Sequence, residues 1–537
     1  MRRGTARILL ALVAGFWLGP LLGCAKDSVD SQTTSDPQDK KKRTILLSTE
    51  YDDLGAGQEA AREIEAELGL YEDPELNAYI SKLGTQLVQH AAPRPFQYEF
   101  QIVDQMTPNA FSLPGGHIYV SRGLIALAQD DDELANVLGH EIVHAADRHA
   151  AAQQELARRA NPFMMPFVRM AKLAAYSRDH ERAADRGGQT LAAKAGYDPT
   201  AMARFLKNLG NNERLTIGYS RLTSYFDTHP GTTERVASTA ARADTLSWTR
   251  DPTRKNGRSI YLHHIDGIIL DTNPSEGIFR DTEFIHPDLD FRILFPRGWA
   301  LVNTHQAVGA VSPDGNARIF ITLEAPKQPA EDPASETWVE AKPTGPPEMP
   351  TPKEAADRLA QNDSDEFDIQ VENEQPVRFD RLGEAEAYRL DVEGRIAGVG
   401  VIGQIIFLEH EGFVFRLTSV ATSSSWSRYQ GRIHTSARTF RRLSDQERGS
   451  VEVLHLGVVH ALDGEDLLAL SQRTGNVWPP GRTAVLNGVF VDVRFEEGKL
   501  MKIARSALYK PKDPQPKPQA PDANPAPSSL ELPAGAR

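Results

Sequence analysis

The stretch Val137–His149, VLGHEIVHAADRH, sets two histidines four residues apart with a glutamate directly after the first. It lies in a longer run, Asp130 to Arg158, that has no proline and one interior glycine, Gly139. Leu134, Val137, Leu138 and Val143 recur there at helical spacing, so the run is expected to form one helix. Positions i and i+4 of a helix lie one above the other, so His140 and His144 can turn both imidazoles toward one point. Glu141 stands about 100° round the axis, beside that point rather than on it. Two converging imidazoles make a metal-ligand pair, and a carboxylate beside them is placed to act as a general base. The pattern is short, and a polar helix face would show it too, so the rest of the chain has to decide.

A catalytic zinc takes three protein ligands and leaves one position open. If the third ligand were a histidine six residues after His144, positions 147 and 150 would be Gly and His; they are Asp147 and Ala150, which excludes the metzincin spacing. A second expected helix, about Ala174 to Ala195, offers Glu181 within YSRDHERAADRGG (Tyr176–Gly188). Asp185 follows one turn later, placed to accept the outer N–H of a ligand histidine and so fix its tautomer. His180 competes with Glu181 as the third ligand, from the side of the same helix.

Five stretches carry a wider pattern: NAFSLPGGHIYVSRGLI (Asn109–Ile125), ELANVLGHEIVHAADRHA (Glu133–Ala150), SRDHERAAD (Ser177–Asp185), AGYDP (Ala195–Pro199) and THPGTTERV (Thr228–Val236). In this order they resemble the HtpX/BepA/Oma family of zinc metallopeptidases, gluzincins of the bacterial envelope and mitochondria, over roughly residues 50–240. The resemblance implies one Zn2+ per chain on His140, His144 and Glu181, with Glu141 as catalytic base. It also implies that His229 of the His229-Pro230 pair approaches the metal, as an oxyanion stabiliser or as an inhibitory fourth ligand, with Arg235 supporting that loop. The strand His117–Ser121, entered through Pro114-Gly115-Gly116, is expected to expose an edge on which extended or unfolded polypeptide adds as a further strand.

The chain of 537 residues is too long for one core, and the expected fold is multidomain α+β. A net charge of −13 excludes a nucleic-acid partner, which needs a basic surface. Arg2, Arg3 and Arg7 precede the apolar run Ile8–Leu22, which reads as a secretory signal over 1–23. The run ends in Leu21-Leu22-Gly23-Cys24, and Cys24 is the only cysteine of the chain. This resembles a bacterial lipobox, which implies lipidation of Cys24; with Ala25 next, it implies the periplasmic face of the outer membrane. Residues 24–43 read as a polar tether, and the zinc metallopeptidase domain is expected over 44–250.

Beyond it the pattern turns β-rich. Residues 251–445, with FRILFPRGWALV near their start and a helix before TFRRL, resemble PsbP/Mog-like α/β modules. Residues 446–509, with DGEDLLALSQRTG, TAVLNGV and FEEGKLMKIA, resemble a LysM-like βααβ unit. LysM modules bind N-acetylglucosamine polymers, so this implies peptidoglycan contact. Gly464-Glu465-Asp466-Leu467 stands where Gly-Asp-Thr-Leu is usual, and a structural descendant without binding stays open. The tail 510–537 is proline-rich and expected to be disordered. Two functional classes follow. One is a lipid-anchored endopeptidase for unfolded or misassembled envelope proteins. The other is an envelope scaffold or chaperone with a latched or vestigial zinc site.

Overall fold

The structure is a computed structural model that describes residues 50–149, 176–216, 224–231, 233–254, 257–327, 348–361, 367–379, 386–396 and 399–512. The signal segment, Cys24, the tether and most of the tail lie outside the described residues. Helix α1 (Glu50–Leu68) is followed by α2 (Pro74–Val88), which starts where Asp73 accepts a hydrogen bond from the Leu76 amide at 3.0 Å, with proline in the first turn. One stripe of α2, Leu76, Ile80, Leu83 and Leu87, is buried.

A three-stranded sheet comes next, in the order β1 (Glu99–Val103), β3 (His117–Ser121), β2 (Ala110–Ser112). Strand β3 pairs parallel with β1 and antiparallel with β2, so it is the centre of the sheet. The expectation that His117–Ser121 exposes an edge is therefore wrong. Gly115 and Gly116, at φ 80° and 91°, fold β3 straight back onto β2, and β1 takes its other side. The strand that runs along the tetrad helix at the sheet's edge is β2.

Helix α3 (Arg122–Leu127) leads to α4 (Asp131–Ala146), the helix of the tetrad. Asp130 caps it, and Asp131, Asp132 and Glu133 place negative charge at its positive end. It is shorter than the sequence pattern: the chain leaves it at Asp147 and turns left-handed at Arg148, φ 55°. Residues 150–158 of the expected helix lie outside the described residues. Then come α5 (Arg178–Lys194), α6 (Ala201–Thr216), α7 (Tyr225–Thr228), α8 (Thr233–Ala243) and α9 (Gly257–Ile265). Asp198 accepts from the Thr200 amide before α6, as its position ahead of Pro199 predicts. Among the described residues, no helix is long and apolar enough to cross a membrane.

The β-rich middle has a seven-stranded antiparallel sheet in the order β11-β12-β13-β14-β10-β9-β8: Phe367–Pro376, Ala387–Ile396, Val399–His410, Phe413–Thr422, Ala317–Leu323, Ala307–Val311 and Ala300–Asn303. Its core gathers Phe291, Phe415, Leu417 and Ile433, the last from the helix Trp426–Ala437. The C-terminal unit runs strand β16 (Glu452–His460), two short helices (Leu467–Thr474 and Pro480–Leu486), then strand β17 (Leu500–Leu508), the βααβ order expected. Strand β16 pairs with β17 on one side and with β4 (Ile269–Leu270) on the other. The whole is α+β and multidomain.

The C-terminal strands share the core of the tetrad helix. Leu456, Trp478, Leu486 and Ala504 are buried in one cluster with Leu124, Leu134, Val137 and Leu138. Lys502, fully buried on β17, gives its Nζ to the carbonyls of Ala126, Leu127 and Ala128 at 2.8, 3.2 and 2.8 Å. The Lys502 amine satisfies carbonyls at the end of α3 that helix bonding leaves free, while burial and then Arg258 push its pKa well below the usual lysine range. Nearby, burial and then Asp130 push the Glu133 carboxyl up to about 7, against the Gln129 amide, Arg204 and Lys502. A raised carboxyl favours the folded state while it is protonated, so this contribution is full below about 4.5 and is lost as pH rises through about 7. Glu133→Gln should therefore narrow the fall in melting temperature between pH 5 and pH 8. An unchanged slope would show that Glu133 does not titrate in that window.

Candidate active site

Helices α4 and α5 approach where neither has a side chain. A Cβ at Gly188 would lie 2.6 Å from the His140 amide nitrogen, and one at Gly139 would lie 2.9 Å from the Gly188 carbonyl oxygen. That contact lays Glu181 and Asp185 of α5 against His140 and His144 of α4. His140, Glu141, His144 and His229 are fully buried, and Glu181 is nearly so. His144 Nε2 stands 2.9 Å from His140 Nε2 and 3.4 Å from Glu181 Oε1; Glu181 Oε2 lies 3.7 Å from His140 Nε2. His229 adds Nδ1, 3.2 Å from His140 Nε2 and 3.0 Å from Glu181 Oε1. One ligand atom from each of the four lies within 4.8 Å of all the others.

These donors fit a zinc ion. Ligands on a tetrahedral zinc with bonds of about 2.1 Å sit about 3.4 Å apart, and these spacings bracket that value. Two imidazole nitrogens facing each other at 2.9 Å need a shared cation, or one proton, between them. The neighbours set the protonation the metal needs. Burial and the adjacent His140 hold His144 well below the usual imidazole range. Burial opposes ionisation of Glu181, but His229, His144 and His140 outweigh it and keep the carboxyl low. Asp185 Oδ1 stands 3.0 Å from the outer nitrogen of His140, a carboxylate that favours the proton on that nitrogen and the lone pair on the inner one. Arg235 holds Asp185 through Nε and Nη2 at 2.9 and 2.7 Å, reaches Glu181 at 2.6 Å, and donates to the His229 carbonyl at 3.3 Å.

Glu141 points elsewhere. Its carboxylate receives no hydrogen bond among the described residues, and His229 Nε2 stands 3.4 Å from Oε1. Burial raises its pKa, against the pull of His229 and His140. His229 is held by α7: its amide donates to the Tyr225 carbonyl at 2.7 Å, and its ring stacks on Tyr225 with centroids 4.4 Å apart. Glu141 and Glu181 together lift the His229 pKa against the effect of burial. Of the two candidate third ligands, Glu181 is in the cluster, whereas His180 stacks on His149. Sequence reading missed Tyr176, stacked on His144 at 3.8 Å, and His149, whose Nδ1 lies 3.1 Å from that of His144. His149 was signalled only by a third histidine in the opening stretch.

Two imidazoles, a carboxylate and a free neighbouring carboxylate on paired helices define a mononuclear metallohydrolase centre. Residues 73–243 match the model of Peptidase family M48, so this part of the chain is similar to the metallopeptidases of that family. The chain is 27% identical over 263 residues to the beta-barrel assembly-enhancing protease of Escherichia coli, across 44% of this chain and 52% of that one. It is 31% identical over 195 residues to a putative beta-barrel assembly-enhancing protease of Vibrio cholerae, across 32% of this chain and 40% of that one. It is 26% identical over 220 residues to the mitochondrial metalloendopeptidase OMA1 of Schizosaccharomyces pombe, across 37% of this chain and 63% of that one. The chain thus spans about half the length of the curated relatives it matches.

Proposed function

We propose that this protein is a zinc metalloendopeptidase, lipid-anchored through Cys24 at the periplasmic face of the outer membrane, that cleaves unfolded or misassembled envelope proteins. One observation carries the reading: a buried His140, His144, Glu181 cluster with Glu141 beside it and outside the ligand set. Zinc bound there supplies a Lewis acid that polarises the scissile carbonyl and acidifies water. Glu141 takes the proton of the attacking water and returns it to the leaving amine, a role suited to a carboxyl whose proton affinity burial raises. Asp185 and Arg235 keep His140 and Glu181 in place. His229, once its ring turns to substrate, donates a hydrogen bond to the developing oxyanion.

A second reading, an envelope scaffold with a latched site, is favoured by the place of His229 Nδ1 inside the ligand cluster. Zinc content by elemental analysis, beside cleavage of unfolded casein, separates the two. One zinc per chain with cleavage that falls in His229→Ala supports the peptidase. Zinc with no cleavage until His229 is replaced supports the latch. A chain without zinc defeats both.

A further inference from the structure

We infer that His149 is a positioning residue for the metal: it takes the outer N–H of His144 and so fixes that ligand's tautomer and ring plane. The inference rests on the zinc-peptidase reading. Both zinc-facing histidines turn Nε2 inward, so each must carry its proton on Nδ1 and give it to an acceptor. His140 has a carboxylate there, with Asp185 Oδ1 3.0 Å from its Nδ1. His144 has a different partner, the Nδ1 of His149 at 3.1 Å, with the rings at 72° to each other. An imidazole nitrogen accepts only where it holds no proton, so His149 serves as the neutral ring protonated on Nε2.

The backbone is built for this contact. On a continuing helix, the residue five after His144 would point about 140° away from it. Here α4 stops at Ala146, and Arg148 takes a left-handed conformation that non-glycine residues adopt rarely. That turn carries His149 back under His144. His180 then stacks flat on the outer face of His149, centroids 4.1 Å apart at 13°, and Tyr176 stacks on His144. Both imidazoles are thereby clamped from outside the ligand cluster. This gives His180, which sequence reading placed as a rival ligand, a part in holding the site instead.

The test compares His149→Phe with His149→Asn in the full chain. Phenylalanine keeps a ring against His180 but cannot accept; asparagine offers an oxygen near the position of Nδ1. Zinc affinity is read by competition with a chromophoric chelator at one fixed pH, and the metal-free melting temperature reports on the fold. We expect His149→Phe to bind zinc about 10- to 100-fold more weakly and His149→Asn to bind close to wild type. Wild-type affinity in His149→Phe overturns the inference. So does a loss in His149→Asn equal to that in His149→Phe, which also decides the matter should the phenylalanine variant melt early. A wild-type chain that takes up no zinc overturns the peptidase reading itself, and this inference with it.

Discussion

Replacing Glu141 by glutamine is expected to leave one zinc per chain and an unchanged melting temperature, while peptide hydrolysis falls about 10²- to 10⁴-fold. The substitution keeps shape and volume and removes only the capacity to take a proton. Glu141 is outside the group of His140, His144, Glu181 and His229, so the metal does not depend on it. Nor does the fold: around the carboxylate stand His229 Nε2, 3.4 Å from Oε1, and Ser112, and a glutamine of the same shape keeps that packing. Activity kept in Glu141→Gln would remove this residue as the base. Activity lost together with the zinc would mean that Glu141 holds the metal after all.

The second large effect concerns residues far from the chemistry. A chain ending before Val451 is expected not to fold to a zinc-binding state. The deletion strips Leu456, Trp478, Leu486 and Ala504 from the core that α3 and α4 share. Losing a single buried tryptophan side chain costs about 3–5 kcal/mol, and removing the whole set is comparable with the roughly 5–15 kcal/mol by which a domain is stable. It also takes away Lys502, and with it one donor to each of the Ala126, Leu127 and Ala128 carbonyls at the end of α3. The milder Lys502→Met should lower the melting temperature and leave zinc stoichiometry at one. A truncated chain that melts cooperatively and binds zinc would show that the tetrad helix is stable without the terminal strands.

Local chemistry in this protein was legible from sequence, and long-range packing was not. The ligand pair on one helix face follows from a spacing of four, and Asp185 follows from one turn beyond Glu181; both are rules of a single helix. The resemblance of five ordered stretches drew Glu181 and His229 to the same site. The errors arose where tertiary context decides. The helix of the tetrad stops at Ala146 although its pattern continues, because a turn that returns His149 to His144 overrides helix propensity. Strand His117–Ser121 has the composition of any half-buried strand, and nothing in it tells that β1 will occupy its second side. The unit 446–509 was set apart by its own βααβ pattern. That Lys502 reaches across 374 to 376 positions of sequence to α3 leaves no local trace.

Gly139 and Gly188 carry no chemistry, yet they act as the gauge of the metal pocket. Paired helices ordinarily rest on their side chains, with axes about 8–10 Å apart. Here two missing methyl groups set the separation, and with it the span between the imidazoles of one helix and the carboxylate of the other. The spacing between the side chains of the two helices is thus written in atoms that are not there.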